Sequence, residues 1–445
     1  MDKTSKKNKH SKYMQKSIFA ALAAILCACT CPNTTPFTDN FDNAEEFGAA
    51  WDISHEVPTA EITLLSEGGI DNSGCLKILL TEASAVAAKH TITGLKAGEL
   101  YRASAMMKCQ DVEGGRGAVM YVTPENRQQE WNASKFIYGT HDWQEVYIDF
   151  VADSEGCATV CCGVGFPWET YLGNKTAGVA WYDNFTIAPT PADAFYHREG
   201  KHIILNLDKE KVKITDEQMD AWLNNLDKTY EAYLDLVGEA PYGGQKIMIL
   251  NTPGIEPGYW ALAGNPILWN SNVKVEEVIT RTAEFDDWGF GIMHEIGHDF
   301  SHSNIKGDGS WNWNDEIFAN FRMSYALEAL GGTVSQRNIC YKGADIISYY
   351  KIFYDETIGA GIAKNNGDAL HYTFLRIKDE FGWDVYKQAF RTLYATPDSE
   401  LPELKSDYDK FLYFLSHVSA AAGEDVTETC YTEEEMALIE ESLKN

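Results

Sequence analysis

Residues 291–302 read GIMHEIGHDFSH, and the fold of the second half of the chain turns on what this stretch holds. His294, Glu295 and His298 form H-E-x-x-H. On a helix, residues i and i+4 project from one face one turn apart, so both imidazoles can reach a single zinc ion at about 2.0–2.1 Å. Glu295 then stands beside the metal rather than on it, where a carboxylate can take a proton from water and pass it to a leaving amine. Ile292, Met293, Ile296 and Phe300 are apolar, which predicts a buried helix. Two imidazoles and a carboxylate there are costly without a metal or polar partners. The competing reading is a core helix with hydrogen-bonded histidines.

Two histidines do not complete a zinc site. His302 lies eight residues beyond His294, roughly 12 Å along a straight helix at about 1.5 Å per residue, too far to share the ion. The metzincin continuation H-x-x-G-x-x-H is absent, because Ser301 and Asn304 occupy the glycine and ligand positions. A third ligand has to come from another element. Residues 309–332, GSWNWNDEIFANFRMSYALEALGG, supply one: Asn314 or Asp315 caps a helix, Glu316 lies in its first turn, and Phe318, Phe321, Tyr325 and Leu330 give it an apolar face. On spacing alone Asp308 and Asp315 stay open as alternatives, and Glu316 is also a favourable charge at a helix start.

Outward from this stretch, a chain of 445 residues divides into several units. Residues 1–28 carry six Lys before a short apolar run, SIFAALAAILCA, as an export signal does. Leu26–Cys29 (LCAC) looks like a bacterial lipobox, with Cys29 following the small Ala28 as the lipidated residue; plain secretion is the alternative. Residues 29–38 read as a tether. Residues 39–190 hold recurrent strand-like runs between Gly, Asn and Asp turns, predicting an all-β sandwich. Residues 191–200 read as a linker, and 201–445 as an α+β, mainly helical domain. Within it Thr215 and Gly238 bound a long helix.

Residues 1–28 include six Lys and Asp2, and without them the formal charge goes from −29 to −34. Such a chain repels polyanions, which excludes nucleic acid as a partner and leaves only a lipid anchor for holding it to a membrane. Seven cysteines lie beyond the lipobox, Cys75, Cys109, Cys157, Cys161, Cys162, Cys340 and Cys430. They show no repeated C-x-x-C, and most read as small buried residues.

Two resemblances sharpen these readings. GTHDWQEVYIDFVA (139–152) and GVAWYDNFTI (178–187) resemble the late strands of the jelly-roll carbohydrate-binding modules of families four and nine, with Trp181 and Asp183 in a W-x-D arrangement. Trp143 and Trp181 are expected in the core; Trp131, Trp168 and Tyr171, in loops, are the candidates for stacking on sugar. The catalytic half resembles the enhancin-like metallopeptidases, a gluzincin family with H-E-x-x-H and a downstream ligand Glu. The resemblance rests on PGYWALAGNPILW (257–269), EIFANF (316–321) as an E-x-x-x-N helix, and GDALHYTFLRIKDEFGWDVYKQAF (367–390). It implies Zn2+ held by His294, His298 and Glu316, Glu295 as general base, and substrate contacts at Gly264, Ile267 and Trp269 on an edge strand. The family often has G-Y-P-I where this chain has Gly264, Asn265, Pro266 and Ile267, a departure that bears on those contacts. His371 and Tyr372 are the candidates for an oxyanion stabiliser.

Together these features predict a lipid-anchored zinc endopeptidase of the bacterial cell envelope. It would act on O-glycosylated, mucin-type proteins, with the sandwich binding carbohydrate and raising the local substrate concentration. The alternative is a glycan-binding adhesin with a non-catalytic peptidase-like domain.

Overall fold

The computed structural model describes residues 37–123, 132–166, 175–256, 258–307, 309–357 and 367–444. Cys29, Trp131, Trp168, Tyr171 and Asp308 therefore lie outside the described residues, as does most of the expected tether.

The N-terminal region is β-rich. One antiparallel sheet runs in the order β3 (Ala60–Leu65), β4 (Cys75–Ser84), β11 (Thr176–Pro189), β6 (Leu100–Glu113) and β9 (Gly139–Val151), with β1 (Phe37–Asp39) also paired to β11. A second runs β2 (Trp51–Asp52), β5 (Val86–Ile92), β10 (Ala158–Val164), β7 (Ala118–Thr123) and β8 (Asn132–Ala133). The inward residues of both sheets share one apolar core, including Ile78, Ala103, Ile148, Val160 and Tyr182. Tyr182 ties the sheets together: its hydroxyl donates to Gly163 O at 2.6 Å and lies 3.1 Å from Val119 O.

The alternation that buries Tyr182 turns its neighbour outward. Trp181, expected in the core, is half-buried on the outer face with Lys108 Nζ 5.6 Å from its ring centre. Trp143 is likewise half-buried and outside the core. Strand parity decides this: side chains two apart share a face, so one strand cannot bury both Tyr182 and Trp181 in the same layer. Asp183 is fully buried and accepts from Ile70 N at 2.8 Å and Ser73 Oγ at 2.9 Å, fixing the loop before β4.

The C-terminal half opens on a mixed sheet ordered β12 (Phe195–Glu199), β13 (Ile203–Asp208), β14 (Ile247–Thr252), β16 (Ile267–Asn270) and β15 (Ala261–Leu262). β12 lies within the expected linker but pairs antiparallel with β13 along its length, so it is part of this sheet. Ile267–Asn270 is an interior strand and the edge is Ala261–Leu262, because the chain doubles back to pair Ala261 with Trp269. After α1 (Ala44–Ala50) in the N-terminal region, the next helix among the described residues is α2 (Asp216–Val237). Thr215 and Gln218 form a capping box at its start, and Gly238 closes it in the left-handed conformation. Then come α3 (Val275–Phe285), α4 (Phe290–Asp299), α5 (His302–Lys306), α6 (Asp315–Leu330), the hairpin β17 (Thr333–Gln336) and β18 (Ile339–Lys342), α7 (Ile346–Thr357), α8 (Asp368–Phe381) and α9 (Asp384–Ala395), with three further helices to Lys444.

α6 was expected to be amphipathic and is instead buried on every side from Ile317 to Leu327, while Leu330 is exposed. Its polar residues therefore sit inside the molecule, where each needs a partner. Cys75, Cys109, Cys161 and Cys162 are buried free thiols. No helix among the described residues is long and apolar enough to cross a membrane.

Candidate metal centre

H-E-x-x-H occupies α4, whose Ile292, Met293 and Ile296 are fully buried. α6 crosses it closely because residue 297 is glycine: a Cβ there would stand 2.8 Å from Ala319 O. Asn314 caps α6, its side chain accepting from Glu316 N at 3.1 Å, which sets Glu316 in the first turn facing the histidines.

The atoms expected to hold a metal stand together. His294 Nε2 and His298 Nε2 are 3.0 Å apart, Glu316 Oε2 is 3.2 Å from His294 Nε2, and Glu316 Oε1 is 3.6 Å from His298 Nε2. Tetrahedral ligands at about 2.0–2.1 Å from zinc stand about 3.3 Å from one another. Each imidazole also has an outer partner on its other nitrogen: His294 Nδ1 lies 2.8 Å from Asn320 Oδ1, and His298 Nδ1 lies 2.7 Å from Asp315 Oδ2. An acceptor at Nδ1 places the ring proton there and leaves a lone pair at Nε2. Two such lone pairs 3.0 Å apart repel unless a metal ion or a proton lies between them. The donor set thus fits zinc.

Electrostatics says the same. Burial pulls His298 down, but Asp315 and Glu316 outweigh it and raise the imidazole to about 10. Hydrogen bonds with His294 and His298 hold Glu316 well below the ordinary carboxylate range. Both shifts describe a cluster built to receive positive charge. Burial would raise Asp315, yet Arg322 and His298 keep it below its usual value. Arg322 is wholly buried and donates to Gly297 O at 2.9 Å and Tyr394 Oη at 2.9 Å, joining α4, α6 and α9 behind the site.

Glu295 is 6% exposed, with the two histidines on either side of it in the helix. Burial raises its pKa, while the histidines and a backbone hydrogen bond from Ala263 stabilise its charged form. In front of His294 and Glu316 is a cavity of ≈ 240 Å³, lined also by Trp260, Lys274, Arg281, Gln336, Tyr349 and Asp368.

Several expected contacts lie elsewhere. Ile267 and Trp269 are fully buried, with Trp269 Nε1 bonded to Val273 O, because β16 is interior. Trp260, edge-on to Trp269, supplies the aromatic wall instead. Gly264 is buried and donates its N–H to Asp299 Oδ1 at 2.8 Å. His371 is fully buried against Tyr350 and Ser324, and Tyr372 packs on Tyr354; neither lines the cavity. His302 starts a new helix and packs between Trp311 and Tyr394. Asp315 takes an outer place behind His298 rather than joining the three converging ligands.

Sequence reading gave Asn320 only as the last residue of the E-x-x-x-N resemblance and did not name Asp368 or Tyr349. Asn320 carried a signal, four residues after Glu316 on the same helix face. Tyr349 and Asp368 reach the cavity from α7 and α8 and have no local signature. Burial raises Tyr349 to about 12, so its hydroxyl stays protonated at neutral pH.

A family model described as peptidase M60, enhancin and enhancin-like, matches residues 170–431, beginning ahead of β11. No curated protein matches. Among solved structures, the chain is similar to a functionally unknown conserved protein from Bacillus anthracis str. Ames, with 14% identity over 86% of this chain and 78% of that one and a TM-score of 0.43. It is also similar to the CBM22-2 xylan-binding domain from Paenibacillus barcinonensis Xyn10C, with 13% identity over 35% and 99% and a TM-score of 0.26. A further xylan-binding domain from CBM 22 shows 14% identity over 34% and 93%, again at 0.26.

Proposed function

The chain belongs to the M60 peptidases, enhancin and enhancin-like, and on that premise we propose that it is a zinc-dependent endopeptidase of O-glycosylated, mucin-type proteins. The observation that carries the zinc reading is the convergence of His294, His298 and Glu316 with a buried Glu295 beside them. Zinc held there would polarise the scissile carbonyl and make an adjacent water more acidic. Glu295 takes the proton of the attacking water, holds it in a site where burial favours the neutral carboxyl, and delivers it to the departing amine. The free edge of β15 offers backbone groups for an extended peptide to pair with. Tyr349 replaces His371 and Tyr372 as the donor to the developing oxyanion, since it lines the cavity and keeps its proton.

The glycoprotein reading is supported by the polar cavity beside the ligands, which Trp260 lines together with Lys274, Arg281 and Gln336. In the same reading the N-terminal region is a jelly-roll carbohydrate-binding module, and residues 1–29 export and lipid-anchor the protein at the cell envelope through Cys29. The direct test is metal content and turnover of the Glu295→Gln chain. Zinc at one equivalent per chain with peptide cleavage reduced about 10²–10⁴-fold supports the assignment; full turnover without Glu295 sinks it.

A further inference from the structure

Resting on zinc at His294, His298 and Glu316, we propose that Asp368 is a positioning residue that fixes the metal-binding face of His294 by locking the amide of Asn320. Asn320 has two unlike ends. Its Oδ1 stands 2.8 Å from His294 Nδ1, and its Nδ2 donates to Asp368 Oδ1 at 3.1 Å. With the oxygen toward the ring, the imidazole keeps its proton on Nδ1 and its lone pair on Nε2. A flipped amide would present NH2 to Nδ1, favour the other tautomer and put a proton at Nε2, where the metal belongs. Asn320 is 6% exposed, so bulk water does not set its orientation. The Asp368 oxygen that accepts from Nδ2 does.

The fold brings this carboxylate in from far along the chain. Asp368 is the first residue of α8, and that helix start reaches α6 because residue 367 is glycine: a Cβ there would stand 2.1 Å from Ile317 Cγ1. The two histidines are therefore oriented by different devices. His298 has the carboxylate of Asp315 directly on its Nδ1; His294 has an amide that needs a second residue to hold it.

Zinc affinity of the full chain, measured by competition with a chromophoric chelator, tests this without reference to catalysis. Asp368→Ala is expected to weaken binding about 10–100-fold. Asp368→Asn, whose amide can present either an acceptor or a donor to Asn320, no longer selects one orientation and should also lose affinity. Asn320→Asp/Asp368→Ala, whose carboxylate presents oxygen either way round, should recover most of the loss. If the alanine variant does not fold, Asp368→Leu carries the same expectation. Wild-type affinity in Asp368→Ala or in Asp368→Asn, or no recovery in the double variant, would each overturn the proposal. A wild-type chain that binds no zinc would instead overturn the metal reading on which it rests.

Discussion

Glu295 and Glu316 are chemically the same side chain, and their surroundings push them in opposite directions. Burial raises Glu295 toward the neutral form, whereas hydrogen bonds with two histidines hold Glu316 ionised. The first suits a proton carrier and the second a ligand. Glu316→Gln is therefore expected to lose zinc, where Glu295→Gln keeps it. Tyr349→Phe removes one hydroxyl from the cavity wall; kcat should fall about 10²-fold with KM little changed, since the bond forms only as charge develops on the carbonyl oxygen. An unchanged kcat would exclude Tyr349 from that role. His294, Glu295, His298 and Glu316 were legible because helix periodicity and a short cap place them within one local segment and its neighbour. Tyr349 and Asp368 were not, because no spacing rule connects them to α4 and only tertiary packing brings them to the cavity.

At the scale of elements, the site depends on how closely α4 and α6 approach over Gly297. Gly297→Ala pushes a methyl against Ala319 O and should cost about 1–3 kcal/mol in chemical denaturation, with weakened zinc binding; a neutral result would mean the helices have slack. Behind α6, His371 is wholly buried and burial lowers it to about 3. An unfolded histidine titrates near 6.5, so between about 6.5 and 3 the unfolded chain binds one proton more than the folded chain. Stability must then fall as pH drops through that window, by up to about 1.4 kcal/mol per pH unit from this residue. His371→Gln should flatten the slope of denaturation free energy against pH between 6.5 and 5, and an unaltered slope would contradict the burial of a neutral imidazole. Element boundaries were legible wherever a cap marked them, as at Thr215, Asn314 and Gly238. Strand roles were less so: the outward turn of Trp181, the pairing of Phe195–Glu199 and the interior place of Ile267–Asn270 are set by register and neighbours that a single strand's pattern does not contain.

For the whole molecule, the succession of a β-rich N-terminal region and a helical C-terminal region was readable from the change of periodicity along the chain. The contacts joining them were not: Thr252 Oγ1 donates to Asn132 Oδ1 at 2.6 Å, and Arg116 meets Glu256 at 3.4 Å. Such contacts would present the N-terminal region and the cleft to one substrate as a unit. The Glu295→Gln chain is accordingly expected to bind an O-glycosylated protein and release it once the sugars are removed; equal retention on the bare protein would remove sugar from the account. The most direct test of the central claim is cleavage of a mucin-type glycoprotein and its enzymatically deglycosylated twin by residues 30–445, each with and without a zinc chelator. The account predicts cleavage of the glycosylated protein alone, abolished by the chelator and restored by added zinc. Cleavage that persists under chelation, or none of either substrate by a zinc-loaded chain, would contradict it.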